Sequence, residues 1–440
     1  MDIITTIANE LNIKPSQVEA TVNLIDEGCT IPFIARYRKE VTGGLDDEVL
    51  RNLDERLTYL RNLEEKKTSI LATIEEQGKL TEKLREKFAE AKTLVAVEDL
   101  YRPYRPKRKT RAGLAREKGY EPFAKQLAQQ LSPREAAADM REKGIAFAGD
   151  TPTEEAYLYG LAEYYVNLIA QQEEARHGVQ DTENNTGNTD APASGNDTAG
   201  TNGEDTSASA PDAIQGAKDI LAEDISDDAE IRAFLRSLSF AEGKLVSRRM
   251  KEAEETQRGK TDVYEMYYEY EEAAVKIPGH RVLALNRGEK EKILRVSLDM
   301  PREKSLDALE EKCLRHTALT KTVIRESYTD AYDRLLSPSI ERDIRRELTE
   351  RAEDGAISVF GKNLEQLLMQ PPIPDKVVMG WDPAFRTGCK LAVVDGTGKV
   401  LDTKVIFPTA PQNKTEEAKK DCKRLIETYG VELISVGNGT

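Results

Sequence analysis

Residues Lys376 to Asp402 read KVVMGWDPAFRTGCKLAVVDGTGKVLD. Val377, Val378 and Met379 form a short apolar run, which Gly380, Asp382 and Pro383 interrupt. Leu391 to Val394 is a second run, closed by Asp395-Gly396-Thr397-Gly398, and a third opens at Val400 and reaches Val405 and Ile406. Short apolar runs joined by Gly and Asp predict a β-meander, because these residues adopt tight turns at little cost. Glu432 to Val436 supplies a fourth strand. Asp382 is placed just past the first strand, in a turn beside Pro383 and Arg386.

Working outward, Pro371, Pro372 and Pro374 form a stiff linker that separates 376–440 from what precedes it. The 440 residues exceed one ordinary core, so roughly two to four domains are expected. The chain is 39% hydrophobic and 32% charged, with a net charge of −15. Phosphate binding therefore requires a basic patch on an acidic body. Cys29, Cys313, Cys389 and Cys422 are scattered without a CxxC pair, which argues against zinc or disulfides and for a reducing, cytoplasmic compartment. His177, His280 and His316 are equally dispersed. No run approaches the roughly 18 apolar residues of a membrane span. MDIITTIANELNI lacks the basic start of a signal peptide.

Before the linker, helical spacing dominates. Ile3, Ile4, Ile7 and Leu11, then Val18, Val22 and Ile25, predict two short helices with a sharp turn, the second capped by Ser16. The second helix has acids and no basic residue after Lys14. A helix-turn-helix shape without sequence-specific reading is therefore expected. Arg36, Arg38 and Lys39 flank Tyr37, a pattern that suits phosphate contact and base stacking and equally suits pairing with acids around a packed tyrosine. Leu50, Leu53, Leu57, Leu60, Leu63, Ile70 and Ile74 predict one long amphipathic helix ending at Gly78. A second helix follows at Thr81–Lys92.

The most basic stretch is Tyr101–Lys118, YRPYRPKRKTRAGLAREK. Pro103 and Pro106 predict an extended start. Arg102, Arg105, Lys107, Arg108, Lys109 and Arg111, interleaved with Tyr101 and Tyr104, are read as a nucleic-acid contact. The competing reading is a loop fastened to acidic neighbours. A helix is expected over 150–172. Asp181–Pro211 contains no Val, Ile, Leu, Met, aromatic, Lys or Arg residue and predicts disorder from about 176. Helix resumes over Asp212–Glu255. The tyrosines at 264, 267, 268 and 270 fit a core more readily than a stacking platform. Residues 281–299 predict a β-hairpin turning at Gly288, with Arg287 a further phosphate candidate. Helices over Ser305–Thr317, Ile324–Leu336 and Ser339–Leu368 complete the region. The expected divisions are 1–72, 73–149, an insertion at 150–211, 212–370 and 376–440.

Several segments together carry a resemblance: IPFIARYRKE at 31–40, EDLYRPYRPKRKTRA at 98–112, RVLALNRGEK at 281–290, DRLLSPSIER at 333–342, GWDPAFRTGCKLAVVD at 380–395 and VGNGT at 436–440. In this order they resemble the Tex family of bacterial transcription accessory proteins, and 380–395 is similar to the start of their YqgF domain. The resemblance implies a mainly α chain with a helix-turn-helix-like start and a small β-hairpin, followed by an incomplete α/β ribonuclease-H-like (YqgF) domain. It also implies a fragment, since the family continues into a helix-hairpin-helix region and an S1 domain. An uncovered sheet should then leave 376–440 marginally stable. The implied function is binding of nucleic acid, chiefly RNA and also DNA, around transcription. RNA polymerase or another transcription factor is the implied protein partner.

Ribonuclease-H-type hydrolysis needs several carboxylates converging on metals about 4 Å apart. Asp382 could supply one. The fourth strand is followed by Gly437-Asn438-Gly439-Thr440, where resolvase-like relatives carry a second acid. Asp382 is therefore read as a vestigial catalytic candidate and a turn-former bonded to backbone amides. Neither a metal nor another cofactor is expected, and no enzymatic activity. The alternatives are a metal-dependent nuclease or resolvase, and a helical scaffold that binds the transcription machinery.

Overall fold

The computed structural model describes residues 2–107, 109–183, 209–250, 261–371, 373–384 and 386–437. Arg108, Asn438 and the core of the expected disordered stretch, 184–208, lie outside the described residues. The chain divides into two compact units, Met1–Glu353 and Asp354–Thr440.

The first unit begins with α1 (Ile3–Leu11), α2 (Pro15–Asp26), α3 (Ile31–Tyr37), α4 (Asp47–Glu76), α5 (Glu82–Glu90) and α6 (Leu94–Tyr101). Asp2 caps α1, and Asn12 ends it in the left-handed region. Pro15, not a residue after a Ser16 cap, opens α2, because its missing N–H and fixed φ suit a first helical turn. Asp46 accepts the Val49 N–H at 2.8 Å to start α4. Its leucine stripe from Leu50 to Ile74 is buried as the spacing predicts, and it forms one core with Ile7, Val18, Val22, Ile34 and Phe88.

A second core follows. After a 3-10 turn at Arg102–Tyr104 come α7 (Arg111–Glu117), α8 (Glu121–Ala128), α9 (Pro133–Glu142), α10 (Glu154–Glu183), α11 (Ala210–Asp227) and α12 (Ala229–Glu242). Residues 102–104 are thus a helical turn rather than extended chain, and 176–183 and 210–211 belong to helix ends rather than to disorder. Helix α11 packs against α7, α8 and α10. Its approach to Tyr120 is so close that a Cβ on Gly216 would lie 2.5 Å from the ring.

The helix expected over Asp212–Glu255 is broken after Glu242, and its end at 251–255 lies outside the described residues. β1 (Lys244–Arg249) is the middle strand of an antiparallel sheet with β2 (Glu269–Ala273) and β3 (Leu294–Asp299), in the order β2-β1-β3. Residues 281–299 are not a hairpin: α13 (Gly279–Lys290) precedes β3. Val282 and Leu285 are buried three residues apart, so period 3.6 wins over period 2. Gly288 serves close packing instead of a turn, since a Cβ there would meet Leu294 at 2.6 Å. Tyr264 and Tyr267 line the core, as their spacing suggests. Helices α14 (Arg302–Cys313) and α15 (Lys321–Asp330) follow. A π-helical turn at Ala331–Leu336 then leads into α16 (Ser337–Leu368). Ile340, Ile344, Leu348 and Ala352 bury the first half of α16, while Ile357, Phe360, Leu367 and Leu368 are exposed.

The second unit carries β4 (Val378–Asp382), β5 (Cys389–Val394), β6 (Val400–Ile406), α17 (Thr415–Tyr429) and β7 (Leu433–Val436). The strand order is β6-β5-β4-β7. The meander β4-β5-β6 is antiparallel, and β7 returns parallel to β4 after α17. Met379, Leu391 and Val393 meet Ala418 and Leu425 of α17 on one face. The other face carries Val405 and Leu433, both exposed.

Candidate nucleic-acid interface

Helix α3 and the turn after it present the patch. Ile34 is fully buried, whereas Phe33 and Tyr37 on either side of it in sequence are exposed. Phe33 and Tyr37, at i and i+4, form a tilted pair with ring centroids 5.3 Å apart. Tyr37 is 65% exposed, so it is not packed in a core. The Arg38 guanidinium lies 5.1 Å from the Phe33 ring centre and donates to the Tyr37 carbonyl at 3.1 Å. Arg36, Arg38 and Lys39 are exposed, and among the described residues none of them joins a salt bridge. Gly43 and Gly44 turn the following chain back with positive φ. The Gln17 amide of α2 donates to the carbonyls of Thr42 and Gly43, both at 3.2 Å, and so fixes the turn against the start of that helix. The arrangement offers exposed π surface flanked by exposed cations. Phe33 was not apparent as a site residue in sequence; its i, i+4 spacing from Tyr37 was the available signal.

The basic stretch behaves differently. Arg102 donates to Asp227 at 3.2 Å, and Lys107 pairs with both Glu223, at 3.1 Å, and Asp227. Arg116 pairs with Glu223 and with Asp224, the latter at 2.7 Å. The Glu223 and Asp227 side chains are each only 9% exposed. Burial pushes the Glu223 carboxyl up, but hydrogen bonds from Arg116 and Lys107 outweigh it and hold its pKa below the ordinary glutamate value. Arg102 and Lys107 therefore fasten the segment to α11. Arg105 and Lys109 are exposed and Arg111 opens α7. Those three make no salt bridge among the described residues. Arg105 shares a crevice of about 520 Å³ with Asp224, Asp227 and Asp228, so phosphate there meets carboxylates too. Arg287 is exposed at the C-terminal turn of α13, where a cation complements the helix dipole. The α11 acids Glu223 and Asp227, spaced i, i+4 as one helix face, were the missed signal for the fastening role.

Asp382 is the last residue of β4 rather than a turn residue beyond it. It is exposed, pairs in register with Lys390 of β5, and its side chain makes no hydrogen bond among the described residues. Nearby acids are used locally: Asp395 accepts from Thr397 and Lys399 in the hairpin turn, and Asp402 accepts from the Tyr429 hydroxyl. Among the described residues, no group of three or more His, Cys, Asp or Glu side chains could hold a metal ion. No helix among them is long and apolar enough to cross a membrane.

Three family models match in succession: the Tex-like protein N-terminal domain over residues 1–75, the Tex central region over 194–360 and the Tex protein YqgF-like domain over 376–440. The chain belongs to the Tex family. YdcI of Bacillus subtilis, described as uncharacterized, is 39% identical over 99% of the chain and 52% of its own length. Protein tex of Bordetella pertussis is 36% identical over 100% of the chain and 49% of its own length. A transcriptional accessory protein Tex of Neisseria gonorrhoeae is 34% identical over 100% of the chain and 50% of its own length. The chain thus spans about half the length of these Tex relatives. The exposed α3 patch lies within the matched Tex N-terminal domain, and Asp382 within the matched YqgF-like domain.

Proposed function

We propose that this Tex-family chain binds nucleic acid, chiefly RNA, without strong sequence preference, as a transcription accessory protein of the cytoplasm. The observation that carries the reading is the solvent-facing Phe33–Tyr37 pair flanked by Arg36, Arg38 and Lys39, cations without acidic partners among the described residues. Stacking on an aromatic face accepts any base, and mobile cations accept any phosphate, so the patch selects polynucleotide over sequence. Arg105, Lys109, Arg111 and Arg287 extend the contact, while Arg102 and Lys107 position the segment. RNA polymerase or another transcription factor is the proposed protein partner. The YqgF-like unit is read as gripping without cutting, because no group of three or more His, Cys, Asp or Glu side chains that could hold a metal ion occurs among the described residues.

The test is fluorescence anisotropy with a labelled single-stranded RNA. Replacing Phe33 and Tyr37 by alanine should weaken binding by about 1–3 kcal/mol for each base that stacks. Unchanged affinity in a folded double variant contradicts the reading.

A further inference from the structure

A deep cleft of the first unit shares no lining residue with the α3 patch. It encloses about 1100 Å³ between α6, α12 and the first half of α16, with Tyr59 of α4 and the end of α5 at one side. Helix α12 turns its small side chains into the cleft: Ala229, Ala233, Ser237 and Ala241 recur every four residues, with Phe240 beside them. Helix α6 contributes Leu94, Val95 and Ala96. Small and apolar side chains on facing helices let a third helix approach closely. A helix about 10 Å across and two turns long occupies roughly 850 Å³, so the volume suits such an occupant.

The rim decides its chemistry. Seven carboxylates line the cleft against three cations. Each cation is already engaged: Lys87 with Glu230 at 3.0 Å, Arg236 with Asp99 at 2.7 Å, and Arg346 with Asp343 at 3.7 Å. Glu90, Glu98 and Glu347 are left without a salt bridge among the described residues, and all three are exposed. The floor is held rigid by Arg232 and Arg236, which share Asp99 in a buried network. A phosphate backbone is repelled here, whereas an apolar helix face flanked by lysine or arginine is complemented on both counts.

We propose that this cleft is a docking groove for a basic amphipathic helix of a partner protein, seated with its apolar face on α12 and its cations against Glu90, Glu98 and Glu347. Docking is of the helix-in-groove kind, with the carboxylate rim setting orientation and excluding acidic helices.

The test uses the whole chain and a fluorescein-labelled amphipathic peptide about 18 residues long, leucine on one face and lysine on the other. A matched leucine–glutamate peptide and a single-stranded RNA are the competitors. The leucine–lysine helix should bind saturably, the leucine–glutamate helix and the RNA should fail to displace it, and two variants should weaken it at least about tenfold. Ala233→Trp fills the groove, and the pair Glu98→Lys and Glu347→Lys reverses the rim on exposed positions that leave folding intact. Loss in both variants, with unchanged circular dichroism, supports the groove. Absence of saturable binding, displacement by the RNA, or binding that weakens with charge reversal but ignores Ala233→Trp overturns it, the last because diffuse attraction to an acidic surface has no dependence on the floor.

Discussion

Arg232 is only 1% exposed, yet it is charged. Its guanidinium donates to Asp99 and Ser339 at 2.7 and 2.9 Å, and Asp99 also accepts from Arg236 at 2.7 Å. Burial pulls the Arg232 pKa down while the Asp99 hydrogen bond holds it up. Removing one partner of such a network strands the other charge in a low dielectric. Arg232→Ala should therefore cost about 3–5 kcal/mol, seen as a lower urea midpoint of the helical circular dichroism signal. A change below about 1 kcal/mol would show that the network is not a structural tie. At Asp382 the expectation is the opposite. Its carboxylate makes no hydrogen bond among the described residues, so Asp382→Asn should leave RNA affinity and stability within about 0.5 kcal/mol of the parent. Metal-dependent cleavage by the parent that Asp382→Asn abolishes would contradict the non-cutting reading. The exact place of Asp382 on β4 was not legible, since strand ends depend on pairing rather than on composition.

The elements show where sequence patterns suffice. The α4 stripe was legible because a run of 30 helical residues repeats the 3.6 period many times over. The segment 282–285 was not, because a four-residue apolar run fits either period, and Gly288 reads as a turn until Leu294 is seen against it. Strand β1 was hidden for a related reason: LVSRR follows a long helical pattern and finds its partners at 269–273 and 294–299, distant in sequence. The basic stretch was visible as charge, but which cations are spent on α11 depends on packing between elements over 100 residues apart. The folded Glu223 pKa lies below the ordinary glutamate value of about 4.3, so its stabilising contribution is complete above that pH and is lost as pH falls through the lower folded value. The melting temperature should drop on acidification below about pH 4, and Glu223→Gln should flatten part of that drop. Equal acid sensitivity in parent and variant would remove Glu223 from the account. The variant should also open the segment near Lys107 to trypsin several-fold faster.

Across the molecule, the two units differ in how much core they hold. The second rests on a small cluster around Met379, Leu391, Val393 and Leu425, with Val405 and Leu433 exposed on the opposite sheet face. Trp381 is the sole tryptophan and sits on β4, so its fluorescence reports that unit, while helical circular dichroism reports mainly the first. The tryptophan transition should precede the helical one on heating; a reversed order would mean that the small core is the more stable. The net charge of −15 makes the location of nucleic-acid contact a question for the whole chain, because phosphate binding then needs a local basic patch. The proposed grip lies at Arg36, Arg38 and Lys39. The most direct measurement is the slope of log affinity against log salt for single-stranded RNA, in the parent and in the triple alanine variant. Each phosphate contact on a single strand contributes about 0.7 to that slope, so the variant should lose about 2. An unchanged slope, with the loss appearing instead on replacing Arg102 and Lys107, would contradict it.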